Sequence, residues 1–494
     1  MKTKIDVGID FGTTNSAIGR AMLDGRIFVG GPHPSVGLVE NGRALFGIAA
    51  RERLTSSGGE HHLIRDLKLA LTDGRPLVLG GEEYDPVDLA ATLFLHLKEQ
   101  HFANDEIRSA VLATPVRVGR EHRANMREAA ARAGFGHVRF VYEPTAALIS
   151  AWEGRRTGED LILVVDWGGG TLDLAVIRVE ADRYLELGVD GDVDELGGSR
   201  IDQEISRRLL EKPANRRARE AVQSKPGGPQ LFHELVEERK IALLEDPYAE
   251  DTDPERIGAV WLPVEVELRP RDVFEVMREF AAQAGKRIPA VLVKSGVKPD
   301  QITHVLFAGG VCRSEVVREE VARALPWAQV IETPGDPQLQ TARGCARLAD
   351  PRNRVSVELG ADLAVRQCDD SICVVMSGGQ SVELNSYRIA DFLVTDVHAR
   401  EAVFDLGVCS GSGQTGSHSV ISTRAFQSLD QLYVPTGEPL LASGAHIPDI
   451  IRMHVGVDSE LCVGVHLLAN RSGQSVQKFL SGVPLLIRVE EAVG

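Results

Sequence analysis

Two stretches of the sequence share a combination of residue types that suits phosphate and metal chemistry. Residues 8–19 read GIDFGTTNSAIG and residues 164–175 read VVDWGGGTLDLA, so that in each an aspartate (Asp10, Asp166) precedes an aromatic residue and a glycine. Glycine lets backbone N–H groups converge on an anion, because no Cβ blocks the approach. An aspartate beside such a loop can hold Mg²⁺, usually through water. Each stretch is therefore a candidate phosphate loop with a metal-binding carboxylate.

Either stretch taken alone also fits the tight turn of an ordinary β-hairpin. The presence of two such turns in one chain favours phosphate binding over the ordinary turn. The chain has no GxxxxGK[ST] motif, and the residues after each loop continue as a strand instead of opening a helix. These features argue against the Walker-type loop and the dinucleotide-binding loop. Two similar hairpins predict duplicated lobes that face a shared cleft.

The segments around the loops alternate between strand and helix patterns. Residues 84–102 and 119–135 have the apolar spacing of helices, and 107–115 form a short apolar run typical of a buried strand. This alternation predicts an α/β architecture with mixed sheets. The polar stretch at about 211–231, which is broken by proline and glycine, predicts a surface excursion. We therefore expect one large α/β unit with two related halves, ending near residue 350.

The sequence changes character after this unit. Residues 356–494 contain short runs of alternating apolar and polar residues, joined by turns of Asp, Gly and Ser. In residues 451–474 the apolar positions of one run recur in the next, after a turn at Asp458. This pattern predicts a second, all-β domain of the sandwich type.

The amino-acid composition limits which binding partners and which cellular compartment are expected for the protein. The 494-residue chain carries 71 acidic and 55 basic side chains, a formal net charge of -16, which disfavours nucleic acids and anionic membranes as partners. The N-terminus lacks the apolar core of a signal peptide. The six cysteines include no CxxC pair and no histidine at metal-ligand spacing, which indicates reduced thiols. We expect a cytoplasmic protein.

Several motifs together resemble the 70-kDa heat-shock chaperones, the DnaK-like family of the actin-like ATPase superfamily. They occur in the family's order and with similar spacing. The motifs are VGIDFGTTNSAIG (7–19), VYEPTAALISAW (141–152), LVVDWGGGTLDLAVI (163–177), LGGSRID (196–202), VLFAGGVCRSEVV (305–317) and TARGCARLA (341–349). The resemblance implies an α/β actin-like ATPase fold, with two duplicated lobes around a nucleotide cleft, followed by a C-terminal all-β sandwich-like domain.

The resemblance also implies roles at the phosphate end of an ATP site. Asp10 and Asp166 would flank Mg²⁺, and Lys68 would contact the γ-phosphate. The phosphate loops would be formed by Gly12, Thr13, Thr14 and Asn15 and by Gly168, Gly169, Gly170 and Thr171, and the attacking water would be positioned by Glu143 and Asp173. From the residues alone, Glu143 also fits a surface carboxylate at a helix start, and Lys68 also fits a solvated helix face.

At the adenosine end, the resemblance implies contacts from Glu237 and Lys240 and from two glycine-rich turns. The turn residues are Gly197 and Gly198 in one and Gly309, Gly310, Val311, Cys312 and Arg313 in the other, with Arg313 stacking on the base. Glu237 and Lys240 fit a solvated helix face equally well. The chain has Ile241 where the family usually has a second basic residue, and Val311 and Cys312 where hydroxyl residues are usual. Nucleotide affinity is therefore expected to be lower than is usual for the family.

The expected organisation is an ATPase domain at 1–350, a linker at 351–359 and a β-rich binding domain at 360–494 without the family's helical lid. Because the linker lacks the family's leucine run, coupling between the domains is expected to be weak. Loop 407–420 departs from the family, so no peptide contacts are assigned there.

The resemblance implies a slow ATPase of the chaperone type. It would bind unfolded polypeptide or one dedicated protein client, and its further partners would be a J-domain co-chaperone and a nucleotide exchange factor. Three alternatives stay open: a filament-forming actin-like ATPase, an enzyme-specific reactivating factor, and a small-molecule kinase on the same fold.

Overall fold

The computed structural model divides the chain into two compact units. It describes residues 3–56, 62–116, 118–152, 159–192, 196–225, 227–245, 254–396, 398–409, 426–436, 440–442 and 445–490. The first unit comprises Met1–Ala181 and Leu187–Asn353, and the second comprises Asp182–Glu186 and Arg354–Gly494.

The first unit contains helices and strands in alternation. Its helices are α1 (Ile48–Ser56), α2 (Leu67–Asp73), α3 (Pro86–Phe102), α4 (Arg120–Arg132), α5 (Glu143–Ala151), α6 (Gly198–Glu211), α7 (Arg216–Ser224), α8 (Gly228–Glu245), α9 (Pro270–Gly285), α10 (Ile288–Lys294), α11 (Glu315–Ala322) and α12 (Gln340–Ala349). Its strands are β1 (Thr3–Asp10), β2 (Asn15–Ala21), β3 (Ile27–Pro34), β4 (Gly37–Glu40), β5 (Arg43–Phe46), β6 (His62–Ile64), β7 (Leu77–Leu79), β8 (Glu82–Tyr84), β9 (Asp105–Thr114), β10 (His137–Tyr142), β11 (Glu159–Trp167), β12 (Leu172–Glu180), β13 (Arg183–Asp192, with Leu187–Asp192 in this unit), β14 (Glu255–Ile257), β15 (Val266–Leu268), β16 (His304–Ala308) and β17 (Gln329–Ile331).

Two sheets of the first unit repeat one strand order. One runs β10-β9-β1-β2-β3, and the other runs β17-β16-β11-β12-β13. In each sheet the central hairpin is antiparallel (β1 with β2, β11 with β12), while its first strand is parallel to the next one (β9 or β16). The prediction of two related hairpins in a mixed α/β unit is confirmed.

The aromatic residue after each loop aspartate anchors that loop in the core. Phe11 is fully buried and packs edge-to-face on Phe94 of α3, with ring centroids 5.5 Å apart. Trp167 is also fully buried, and its Nε1–H donates to the carbonyl of Leu196 at 2.6 Å. Large buried rings resist displacement because they make many close contacts. Both loops therefore start from rigid positions.

Most described residues of the predicted surface excursion at 211–231 are exposed or half-buried, but the stretch is helical and not irregular. This stretch contains α7 and the start of α8. Ala218 and Val222, one helical turn apart, are buried in the core of the first unit. Two apolar residues at this spacing give a short polar helix a packing face, which composition alone did not indicate.

Helix α12 approaches β1 and α5 closely because small residues line both crossings. A Cβ on Gly8 of β1 would overlap the backbone of Cys345, and a Cβ on Gly344 would overlap the carbonyl of Ala146 on α5. Glycine at these two positions lets the backbones touch. None of the helices in the described part of the chain is long and apolar enough to cross a membrane.

Within the described residues, the second unit consists of strands and turns. The strands are β18 (Arg354–Leu359), β19 (Asp362–Arg366), β20 (Ile372–Met376), β21 (Ser381–Val382), β22 (Ser386–Leu393), β23 (Glu401–Cys409), β24 (Phe426–Pro435), β25 (Leu440–Ala442), β26 (Ala445–Ile447), β27 (Ile450–Val457), β28 (Val463–Ala469), β29 (Ser475–Leu480) and β30 (Leu485–Glu490).

These strands form two four-stranded sheets and smaller pairings. The four-stranded sheets run β20-β19-β23-β24 and β22-β27-β28-β29. Strand β30 pairs with β18 and also with Arg183–Leu185. Residues 354–359 of the expected linker thus form a strand, while the domain boundaries and the sandwich stay predictions. Of loop 407–420, the part from residue 410 onward lies outside the described residues.

Candidate functional site

A cleft in the first unit brings the two glycine-rich turns together. Residues 12–15 of the first turn and 168–171 of the second both line it. The turns face each other closely, because a Cβ on Gly169 would overlap the hydroxyl of Thr14, and a Cβ on Gly170 would lie 2.9 Å from Thr13 Cβ. Only glycine permits this approach of one turn to the other.

The start of α6 supports the second turn. The backbone N–H of Gly198 donates to the carbonyl of Gly168 at 3.0 Å, and that of Ser199 donates to Gly169 at 2.8 Å. Gly198 lines the cleft, whereas Gly197 lies behind it, where a Cβ would overlap the backbone of Gly170. A helix start at this position directs the positive end of the helix dipole to the turns, which favours an anion.

A buried ion pair lies beside the turns. Lys68 of α2 and Glu143 of α5 are 8% and 7% exposed, and Lys68 Nζ donates to Glu143 Oε1 at 2.6 Å. Burial opposes the charge of Lys68, but the attraction of Glu143 and Asp10 outweighs it, so the pKa of Lys68 lies above its usual value. The lysine is therefore a fixed ammonium in the cleft.

The aspartates that precede the turns, Asp10 and Asp166, line the same part of the cleft. Shielding from water, followed by repulsion from Glu143, raises the pKa of Asp10 to about 7, although Lys68 opposes the shift. Shielding and the charges of Glu143 and Asp10 likewise raise the pKa of Asp166 well above its usual value. Carboxylates crowded in this way favour a bound cation, because a cation offsets their mutual repulsion.

Asp173 lies behind the second turn. It is buried, stands directly opposite Asp166 in the β11–β12 ladder, and its Oδ2 accepts a hydrogen bond from Thr171 Oγ1 at 2.8 Å. Asp173 does not line the cleft, whereas Thr171 does. The hydroxyl of Thr171 thus connects the cleft to the buried carboxylate.

Helix α8 and the turn after β16 also line the cleft. Lys240 of α8 is buried and forms an ion pair with Asp202, its Nζ lying 2.7 Å from Asp202 Oδ1, so it is not part of a solvated helix face. Glu237, one helical turn earlier, has its pKa raised to about 7 by burial and by the charge of Glu234, which outweigh the nearby Arg51. Both α8 residues line the cleft.

The turn after β16 places its residues on two sides. Gly309, Gly310, Val311 and Arg313 line the cleft. Cys312 points away: it is fully buried, and its Sγ donates to the carbonyl of Val165 at 3.6 Å. Of all the residues expected at the site, only Asp173, Gly197 and Cys312 lie outside its lining.

Several lining residues were not assigned from the sequence. They are Asp202, Leu244, Met277, Gln338 and Thr341. Asp202 ends the LGGSRID motif and Thr341 begins TARGCARLA, so both carried a signal in the sequence. Leu244 and Met277 read as ordinary apolar helix positions, and no local pattern distinguishes them.

No group of three or more Cys, His, Asp or Glu side chains in the described ranges is arranged to hold a metal ion. Asp10 and Asp166 alone therefore provide an incomplete coordination sphere. This donor set fits Mg²⁺, which keeps several waters and takes one or two carboxylates together with phosphate oxygens.

The chain is similar to DnaK chaperone proteins over about two thirds of its length. It is 27% identical over 328 residues to the chaperone protein DnaK of Thermosipho melanesiensis, covering 64% of this chain and 54% of that protein. The DnaK proteins of Metamycoplasma hominis (28% over 332 residues, 65% and 55% covered) and Thermotoga neapolitana (25% over 329 residues, 64% and 54% covered) match similarly. The chain thus spans about half the length of the curated relatives it matches. Residues 72–350, more than half of the chain, match the family model of the Hsp70 protein, and the chain belongs to the Hsp70 family.

Proposed function

We propose that this protein binds ATP and ADP with Mg²⁺ in the cleft and hydrolyses ATP slowly. The observation that carries the proposal is the pair of facing glycine-rich turns, at 12–15 and 168–171, with Asp10 and Asp166 at their starts. Converging backbone N–H groups bind phosphate, and carboxylates at that position hold the accompanying metal ion.

Different residues of the cleft have different roles in phosphoryl transfer. The backbone of the two turns would bind the phosphates, and Asp10 and Asp166 would hold Mg²⁺. A bound Mg²⁺ supplies charge neutralisation at the phosphate oxygens. Lys68 presents its ammonium to the γ-phosphate, while Glu143 and Asp173, the latter through Thr171, orient water. Because Glu143 Oε1 already accepts a hydrogen bond from Lys68 Nζ at 2.6 Å, this oxygen is not available to the attacking water, which is consistent with slow turnover.

The adenosine end relies on α8 and the turn after β16. Glu237 and Lys240 face the ribose, and Arg313 covers the base. The neighbouring Ile241, Leu244 and Met277 offer apolar contact but no hydrogen bonds. Nucleotide affinity below that of the family's usual members follows from this lining.

The second unit binds unfolded polypeptide or one dedicated protein client, with a J-domain protein and an exchange factor as further partners. Strand β22 supports this part of the proposal, since among the described strands it lies at the edge of its sheet. It exposes Tyr387, Ile389 and Leu393 by 50%, 61% and 59%. An exposed apolar edge strand can receive an extended chain through backbone hydrogen bonds.

Calorimetric titration of the full chain with ATP and ADP, with and without Mg²⁺, tests nucleotide binding. We expect saturable binding that Mg²⁺ strengthens. A chain that binds neither nucleotide at millimolar concentration with Mg²⁺ present would refute the proposal.

A matched pair of variants tests hydrolysis. Thr171→Val removes the hydroxyl that contacts Asp173, and Thr171→Ser keeps it. We expect Thr171→Val to slow single-turnover hydrolysis by about 10²-fold and Thr171→Ser to stay within about threefold of wild type. Equal rates for the two variants would remove Thr171 from the reaction.

Fluorescence anisotropy with a labelled, permanently unfolded polypeptide tests the second unit. We expect binding in both nucleotide states, with affinities that differ by less than about tenfold. A larger ratio would contradict the expectation of weak coupling, and lack of binding in both states would leave a dedicated client as the partner.

A further inference from the structure

The helix that carries Lys68 is too short to hold its own position. Helix α2 has seven residues, starts after Asp66 in the left-handed conformation (φ 52°) without a side-chain cap, and ends at Gly74 (φ 61°). Isolated helices of this length are unstable in water because few hydrogen bonds offset the cost of nucleation. Contacts with other elements must therefore determine where the ammonium of Lys68 lies.

Helix α4 provides two such contacts at the last turn of α2. Asn125 Nδ2 donates to the carbonyl of Leu71 at 2.8 Å. His122 Nδ1 lies 2.8 Å from Thr72 Oγ1, and the Thr72 hydroxyl donates to the carbonyl of Lys68 at 3.3 Å. The second contact leads from α4 to the backbone of the lysine itself.

Only one arrangement of donors and acceptors allows both of these hydrogen bonds, from His122 to Thr72 and from Thr72 to Lys68, to form together. A hydroxyl has a single proton, and when Thr72 gives it to the Lys68 carbonyl, its oxygen accepts from His122 Nδ1–H. Burial, followed by the charges of Lys68 and Arg123, lowers the pKa of His122 to about 3, so the ring is neutral. Linked hydrogen bonds of this kind strengthen one another in a low-dielectric interior.

The contact with Thr72 accounts for the presence of a buried histidine at position 122. It is 1% exposed, and its Nε2 has no hydrogen-bond partner among the residues that the structure describes. A buried acceptor without a partner is costly, whereas an apolar side chain would fill the same space without that cost. The imidazole is thus explained by its Nδ1 contact with Thr72.

We propose that His122, acting through Thr72, is a positioning residue that holds Lys68 at its place in the cleft. Lys68 is then held at both ends. Helix α4 holds its backbone carbonyl through Thr72, and Glu143 of α5 holds its ammonium. A displacement of about 1 Å at a reacting group can cost 10²-fold in rate, so a small shift of α2 matters. The consequence for catalysis rests on the proposed ATPase function, but the position of Lys68 does not.

Chemical labelling tests the positioning without nucleotide. Thr72→Val removes the hydroxyl at nearly unchanged volume, and Thr72→Ser restores it. Lys68 in each full-length protein is acetylated with acetic anhydride and quantified by mass spectrometry. Lys240, which is equally buried and is paired with Asp202, is the internal reference. We expect Thr72→Val to label Lys68 at least about threefold faster than wild type or Thr72→Ser, with Lys240 unchanged. Equal labelling in all proteins, or a parallel rise at Lys240, would overturn the proposal.

Kinetics provide the second measurement. We expect Thr72→Val and His122→Leu to slow single-turnover ATP hydrolysis by about 5–10-fold, with the ADP dissociation constant within about twofold of wild type. His122→Gln, which keeps an N–H donor, and Thr72→Ser should recover most of the rate. Affinity that falls together with the rate would indicate a merely structural role and overturn the proposal. If the wild-type chain binds no nucleotide, the proposed function fails, while the labelling result still decides the positioning of Lys68.

Discussion

The buried pair of Lys68 and Glu143 gives a stability prediction with a definite sign. Both side chains are less than a tenth exposed, and their charged atoms lie 2.6 Å apart. Lys68→Met keeps the length of the side chain and removes the ammonium, which leaves Glu143 as an uncompensated buried charge. Breaking a buried pair in this way costs about 3–5 kcal/mol. We expect that loss of unfolding free energy in nucleotide-free protein at pH 8.

Removing the second charge should recover part of the loss. In the double variant Lys68→Met/Glu143→Gln no charged partner is left alone, and a neutral buried amide is less costly than a buried carboxylate. We therefore expect the double variant to be more stable than Lys68→Met by about 1–3 kcal/mol. Thus the second substitution stabilises the protein.

Tryptophan fluorescence during urea unfolding measures this effect in the right part of the chain. All four tryptophans, Trp152, Trp167, Trp261 and Trp327, belong to the first unit. The control is Lys4→Met, which breaks a pair with Glu106 whose side chains are 64% and 53% exposed. An exposed pair contributes at most about 1 kcal/mol. A double variant that is less stable than Lys68→Met, or a Lys68→Met loss no larger than the control's, would refute the reasoning.

Two further predictions concern packing and pH. Gly344→Ala should destabilise the first unit by about 2–3 kcal/mol, because the added Cβ would overlap the backbone of Ala146. The control is Gly285→Ala, which should cost no stability because the added Cβ would have no atom within 4 Å. Equal melting temperatures for the two variants would contradict this prediction. Burial raises the pKa of Glu237 from 4.5 in the unfolded chain to about 7 in the folded protein. The folded state therefore binds this proton more tightly, and the resulting contribution to the free energy of unfolding is complete below pH 4.5 and is lost as pH rises toward 7. Glu237→Gln should therefore gain stability relative to wild type as pH rises over that range, by at most about 3 kcal/mol, and a pH-independent difference in urea midpoint would show otherwise.

The sequence alone was sufficient to predict the two hairpin turns. Glycine at 168–170, the aspartate before it and the alternating strands around it are local features, and local backbone preferences act on them directly. The same holds for α3, whose start at Asp85 and Pro86 follows from capping chemistry, with the Asp85 side chain accepting from the N–H of Val87 at 2.9 Å.

Only the tertiary structure decided which charged groups are paired and which residues face the cleft. Lys68 and Glu143 are 75 positions apart in the chain, and Thr72 and His122 are 50 apart. Sequence patterns could not tell Lys240 in the cleft from a solvated lysine, nor that Cys312 points into the core beside the cleft-lining Arg313. Burial, pairing and the resulting pKa shifts depend on neighbours that folding brings together from distant positions, whereas a turn depends on the conformational freedom of the few residues that form it.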